Sequence, residues 1–138
     1  MAIDIVTPAA SEPITLTEAK NFLRVDHSDD DTLISALITA ARQMCESYTR
    51  RILVTTTIDE YFDQFPRNHW DGQSNLLYLS RGSVASITSV SYVDEIGSTA
   101  TIASSLYTTD LISEPARIQS IGGWTTGAGV VNQLIVRY

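Results

Sequence analysis

Hydrophobic and polar positions along the chain change period once, near residue 54. Before that point apolar residues recur every three or four positions; beyond it they alternate with polar ones. The first helical window opens at Thr15. Glu18, three residues on, completes the capping-box spacing, in which the hydroxyl accepts an early helical amide and the glutamate reaches back. Leu16, Ala19, Phe22 and Leu23 then fall on one side, and the pattern stops near Val25. Residues 26–31 (DHSDDD) read as a turn whose acids sit at the positive end of a second helix.

That second helix is predicted from about Asp30 to Ile52, about 34 Å long at 1.5 Å per residue. Leu33, Leu37, Ala40, Ala41, Met44, Tyr48 and Ile52 form its expected buried stripe. Ile34, Ile38 and Cys45 widen the stripe beyond what one small domain face needs. The helix is therefore expected to pack on two sides, in its own core and against a neighbouring subunit. Arg50 and Arg51 close it at the negative end of the dipole.

From residue 54 to 62 Thr55, Thr57, Asp59 and Tyr61 alternate with Thr56, Ile58, Glu60 and Phe62, a strand pattern rich in β-branched and aromatic residues. Further strands are predicted at 76–79, 86–93, 106–109, 117–121 and 134–138. Turn chemistry separates them at 66–75, 81–83, 95–98 and 122–129. The fold class read from this is α+β: a short helix and a long amphipathic helix, then a small antiparallel β region. We read residues 1–138 as one domain, with an extended arm at 1–14, a helical part at 15–53 and a β-rich part at 54–138. The arm, rich in Pro, Ala and Ser, is expected to order against a partner.

Composition narrows the function. Sixteen acidic residues against nine basic ones give a net charge of −7, and Lys20 is the only lysine. No basic stripe is present of the kind that supplies most duplex-binding affinity, so specific nucleic-acid binding is not expected. No run approaches the roughly 18 apolar residues of a membrane span, and the N-terminus lacks a secretion signal. With a single cysteine, Cys45, no intrachain disulfide can form; the residue is expected to be a small buried hydrophobe of an intracellularly made chain.

The candidates for chemistry fail one by one. An EF-hand loop starting at Asp26 would need glycine at its sixth position and glutamate at its twelfth, where Asp31 and Leu37 stand. His27 and His69 are far apart and share one cysteine between them, which is no zinc spacing. His69-Trp70-Asp71 has a base beside an acid but no nucleophile motif. The glycine-rich run at 122–129 lacks the Lys-Ser/Thr ending of a phosphate loop. No catalytic, cofactor or metal residues are assigned. The residues favour assembly over catalysis, with a β-rich module binding a peptide or sugar through Trp70 and Trp124 as the alternative from another class.

The helical segment resembles the N-terminal part of head–tail connector (adaptor) proteins of long-tailed bacteriophages. The resemblance rests on Pro13-Ile14-Thr15-Leu16-Thr17-Glu18-Ala19-Lys20 with Leu23-Arg24-Val25, then Asp29-Asp30-Asp31 with Leu33-Ile34. Leu37-Ile38, Ala40-Ala41-Arg42, Cys45-Glu46 and Arg50 follow before the first strand. It implies a virion neck protein, made in the host cytoplasm, that forms a dodecameric ring beneath the portal. Such a ring extends the DNA channel without gripping DNA and docks the stopper or tail; another neck or tail-completion protein is the neighbouring reading. Longer members continue past the last strand into a glycine turn and helices that help engage the portal, whereas this chain is read to Tyr138. On this reading Asp29, Asp30, Asp31, Ile34, Ile38, Arg42, Glu46, Arg50 and Arg51 are expected at the subunit interface, and Trp70 and Trp124 at partner contacts.

Overall fold

The computed structural model describes residues 2–66, 75–94, 96–124 and 132–138. Within them the α+β class holds: two helices, then antiparallel strands. The chain divides into a helical unit, residues 8–56, and a β unit made of residues 2–7 and 57–138.

In the helical unit, α1 (Leu16–Leu23) begins as predicted. Thr15 Oγ1 accepts the Glu18 N–H at 3.2 Å, and Glu18 Oε2 accepts the Thr15 N–H at 2.8 Å. Arg24 ends the helix in the left-handed region, φ 57°. Its neighbour α2 (Asp31–Thr49) stops at Arg50, φ 56°, so Ile52 lies beyond it and the helix is about 28 Å long. Between the helices the Asp31 N–H donates to the Ser28 carbonyl (3.2 Å), and Lys20 Nζ pairs with Asp31.

The β unit holds two sheets. One has five strands in the order β1 (Ala2–Thr7), β2 (Thr57–Phe62), β8 (Leu134–Arg137), β4 (Ser89–Val93), β5 (Thr99–Thr101). The other is β3 (Leu76–Tyr78), β7 (Arg117–Ser120), β6 (Tyr107–Asp110). The pairs within both are antiparallel. Both sheets feed one core: Leu77, Ile118, Val90, Leu134 and Val136 from the strands, with Leu79, Val84, Ile102 and Ala116. Along β8 Leu134 and Val136 are buried while Ile135 and Arg137 are half-exposed, the period-two alternation of a strand with one core face.

Two strands lie outside the sequence expectation. Residues 2–7, read as part of the arm, run extended along β2, with Ile3 opposite Glu60 and Ile5 opposite Ile58. β5 closes a tight hairpin on β4, in which Asp94 Oδ1 accepts the Ile96 and Ser98 N–H groups (3.0 and 2.8 Å) and Gly97 turns at φ 84°. Only glycine adopts that backbone region without strain.

Two polar pairs anchor β2. Asp59 and Arg137 stand directly opposite each other and make a two-pronged ion pair, both distances 2.7 Å. Glu60 stands opposite Val136 on the core-facing side and is fully buried. It accepts the Ser80 N–H (3.1 and 3.2 Å to its two oxygens) and the Tyr138 hydroxyl (2.7 Å).

Candidate assembly surface

The helical unit turns its faces the opposite way to the sequence expectation. Ile34, 5% exposed, is the buried residue of α2, and Ile38 is half-buried beside it. Leu33 (59%), Leu37 (56%), Met44 (76%) and Tyr48 (90%), expected as core, face outward. Cys45 is exposed as well, not the buried hydrophobe expected. The physical reason lies in what the inward face carries. On a 3.6-residue helix, Asp31, Ile34, Ile38, Arg42 and Glu46 share one side. That side is held by ions and hydrogen bonds as much as by apolar contact.

Arg42 is the hub of that network. Its Nε donates to Glu12 Oε2 (2.7 Å), its Nη2 to Glu12 Oε1 (3.3 Å) and its Nη1 to Glu46 Oε2 (2.8 Å). Thr39 Oγ1 donates to Glu12 Oε1 (2.8 Å), and Glu46 Oε1 accepts the Leu53 N–H (2.9 Å). The hydrogen bond from Arg42, then that from Thr39, holds the Glu12 carboxyl below the usual carboxylate range. The same Glu12 bond raises the guanidinium of Arg42. The segment before α1 is thereby tied to the middle of α2, and the end of α2 to the chain leaving it. Glu12 was missed in the sequence because its partners lie 27 and 30 residues away, beyond any local spacing rule.

The remaining residues expected at the interface separate into two ends. Asp29 and Asp30 are exposed in the turn before α2, and Asp31 is half-buried on Lys20. Arg50 and Arg51 are exposed past the C-terminal end of the same helix. Ile34, Ile38, Arg42 and Glu46 are brought together on the inward face. Trp70 and His69 lie outside the described residues. Trp124 is half-buried: its indole N–H donates to the Asn75 carbonyl at 3.0 Å, and its ring packs 5.9 Å from Phe65. Phe65 meets Tyr92 edge-on at 6.3 Å. Among the described residues no group of three or more His, Cys, Asp and Glu side chains converges as a metal site would require, and no helix is long and apolar enough to cross a membrane.

These features define the class, an α+β protein whose helical pair keeps its polar network inside and turns an apolar stripe outward. Residues 13–94 match the family of phage gp6-like head-tail connector proteins, and the chain belongs to that family. Membership makes it a structural protein of the virion neck, where head and tail join. No curated protein matches the chain in sequence. Among solved structures, the neck of an empty gene transfer agent (GTA) particle, computed with C6 symmetry, contains a chain of the same fold. The TM-score is 0.77 at 19% identity, covering 99% of this chain and 69% of that one. A chain of the native gene transfer agent virion superposes with a TM-score of 0.78 at 19% identity, over 99% and 70% of the two chains. One from the native neck computed with C12 symmetry gives 0.62 at 21% identity, over 99% and 68%.

Proposed function

We propose that the chain is a non-catalytic subunit of an oligomeric ring that docks beneath the portal, extends the DNA channel and receives the stopper or tail. The observation that carries this reading is the outward apolar stripe of α2, which lies inside the family-matched segment. A soluble chain that leaves two leucines, a methionine and a tyrosine in water along one helix face is built to be covered. The necks that share its fold were computed with cyclic symmetry, as a ring of copies requires. The net charge of −7 suits a channel wall past which DNA slides without adhering. Asp29, Asp30 and Arg50, exposed at the two ends of α2, are the charges best placed to meet a neighbouring copy.

The test uses DNA-filled heads that carry the cognate portal and lack tails. They are mixed with the purified chain, sedimented, and imaged at the portal vertex with symmetry averaging. A new collar of density at the portal exit is the expected result, and its symmetry counts the subunits. Heads that emerge bare, with intact protein left in the supernatant, would overturn the connector reading.

A further inference from the structure

The helical unit exposes a second apolar set besides the α2 stripe. On α1 Phe22 is 88% exposed, and Leu23 beside it is exposed too. Phe22 and Tyr48, one on each helix, are aromatic rings left almost wholly in solvent, and aromatic rings are the side chains that most often anchor an interface. A closed cyclic ring needs two unlike patches per subunit, since its contacts run head to tail; a two-fold dimer needs only one self-complementary patch. The unit carries two such patches, on different helices.

Resting on the ring reading above, we infer that α2 of one copy packs against α1 of the next. Leu33, Leu37, Met44 and Tyr48 form one half of the subunit interface, and Phe22 and Leu23 the other. Charge supports a second copy as the occupant. The α2 stripe starts beside the exposed acids Asp29 and Asp30, and the α1 patch ends beside the exposed Arg24. A neighbour of the same sequence therefore brings opposite charges to the rim, where polar residues normally seal an interface. The inward residues Ile34, Ile38, Arg42 and Glu46 are occupied within their own chain and belong to the subunit's own fold.

Two variants test this. Leu37→Glu with Met44→Glu blocks the α2 patch, and Phe22→Glu blocks the α1 patch. All three side chains are exposed, so both variants keep wild-type helix content by circular dichroism. Should the charges disturb the helix, Leu37→Gln with Met44→Gln carries the same test. In sedimentation velocity the wild-type chain is expected to self-associate as concentration rises, and each variant alone to do so at least about tenfold more weakly. Mixed, the variants still share one intact pair of patches, and the expected product is a 1:1 dimer that grows no further. A wild-type chain that stays monomeric up to about 1 mM would overturn the inference. So would variants that assemble like wild type, or a mixture that never dimerises. Uptake of the wild-type chain by tailless heads decides the connector reading separately, so heads that gain a collar while the mixture stays monomeric would remove this interface and leave that reading in place.

Discussion

Glu60 allows a quantitative test of how the β unit is held together. It is a fully buried carboxylate on the core-facing side of β2, and its shortest hydrogen bond comes from the Tyr138 hydroxyl, 2.7 Å away. Tyr138→Phe removes that donor, together with the acceptor that the same hydroxyl offers the Arg81 N–H. The backbone of residue 138 stays paired with Ile58, through bonds of 2.8 and 3.0 Å, and the ring keeps its packing. A hydrogen bond to a charged acceptor contributes about 1.5–3 kcal/mol net, and the Ser80 N–H bonds that remain are longer. Because Tyr138 is only half-buried, we place the loss near the lower end, about 2 kcal/mol, or roughly 30-fold in the folding equilibrium. With a urea slope of about 2 kcal/mol/M, the unfolding midpoint should fall by about 1 M.

The bond also fixes a sign at alkaline pH. Burial first, then the bond to Glu60, raises the Tyr138 phenol far above its ordinary value of 10.0. A raised phenol contributes stability that is complete below about pH 10 and is lost as pH climbs, because the unfolded chain releases its proton first. Wild-type protein should therefore lose stability above pH 10, and Tyr138→Phe should lose less over the same interval. Equilibrium urea unfolding followed by far-ultraviolet circular dichroism reads both effects. A midpoint shift below about 0.2 M would refute the argument. So would a double-mutant cycle with Glu60→Gln in which the two changes simply add.

Three further outcomes follow from other parts of the chain. Ile34→Ala should cost the helical unit about 2–4 kcal/mol while Leu33→Ala costs less than about 0.5 kcal/mol, and thermal unfolding of the two variants reads the inversion of the α2 face directly. Thr15→Ala removes the capping hydroxyl of α1 and should cost about 1 kcal/mol, seen as roughly fivefold faster hydrogen exchange at the Glu18 amide. Asp110 accepts hydrogen bonds from Ser113, Arg117 and Ile112, first among them the Ser113 hydroxyl, which hold its carboxyl down at about 2. A lowered carboxyl contributes stability that is present above its ordinary 3.8 and is lost as pH falls toward 2, so Asp110→Asn should flatten the thermal midpoint against pH in that window.

What could be read from the sequence was local. The Thr15–Glu18 capping box shows in four consecutive letters because its bonds span three residues. The strands from β2 onward show where alternating or large apolar residues are bounded by turn residues, as in the three-residue β3; β5, Thr-Ala-Thr, carries no large apolar residue to mark it. β1 was missed for a different reason. Its partner β2 arrives only after both helices, and all six of its residues are exposed, so no buried face marks it. The groups that Trp124 meets within the chain, Asn75 and Phe65, could not be read because they are distant in the sequence. The orientation of α2 could not be read at all. Periodicity shows that Leu33, Leu37, Met44 and Tyr48 share a face, and it is silent on what covers that face.

The inverted helix also bears on how such a subunit would behave before it assembles. Burying a leucine or methionine is worth roughly 1.5–3 kcal/mol, so the four stripe residues and Phe22 offer on the order of 10 kcal/mol gross. Association itself costs about 4–15 kcal/mol before any contact is counted, and every copy carries seven net negative charges that repel the next. One interface between two free copies is therefore marginal. The balance changes once copies are held on a template, because the second contact of each subunit then forms at an effective concentration far above that in solution. On the ring reading, a chain with an exposed apolar stripe and an acidic surface stays soluble while alone and closes into a ring where a docking partner gathers it. Self-association of the free chain should thus be weak and concentration-dependent, and assembly on heads should be steep, with complete collars outnumbering partial ones.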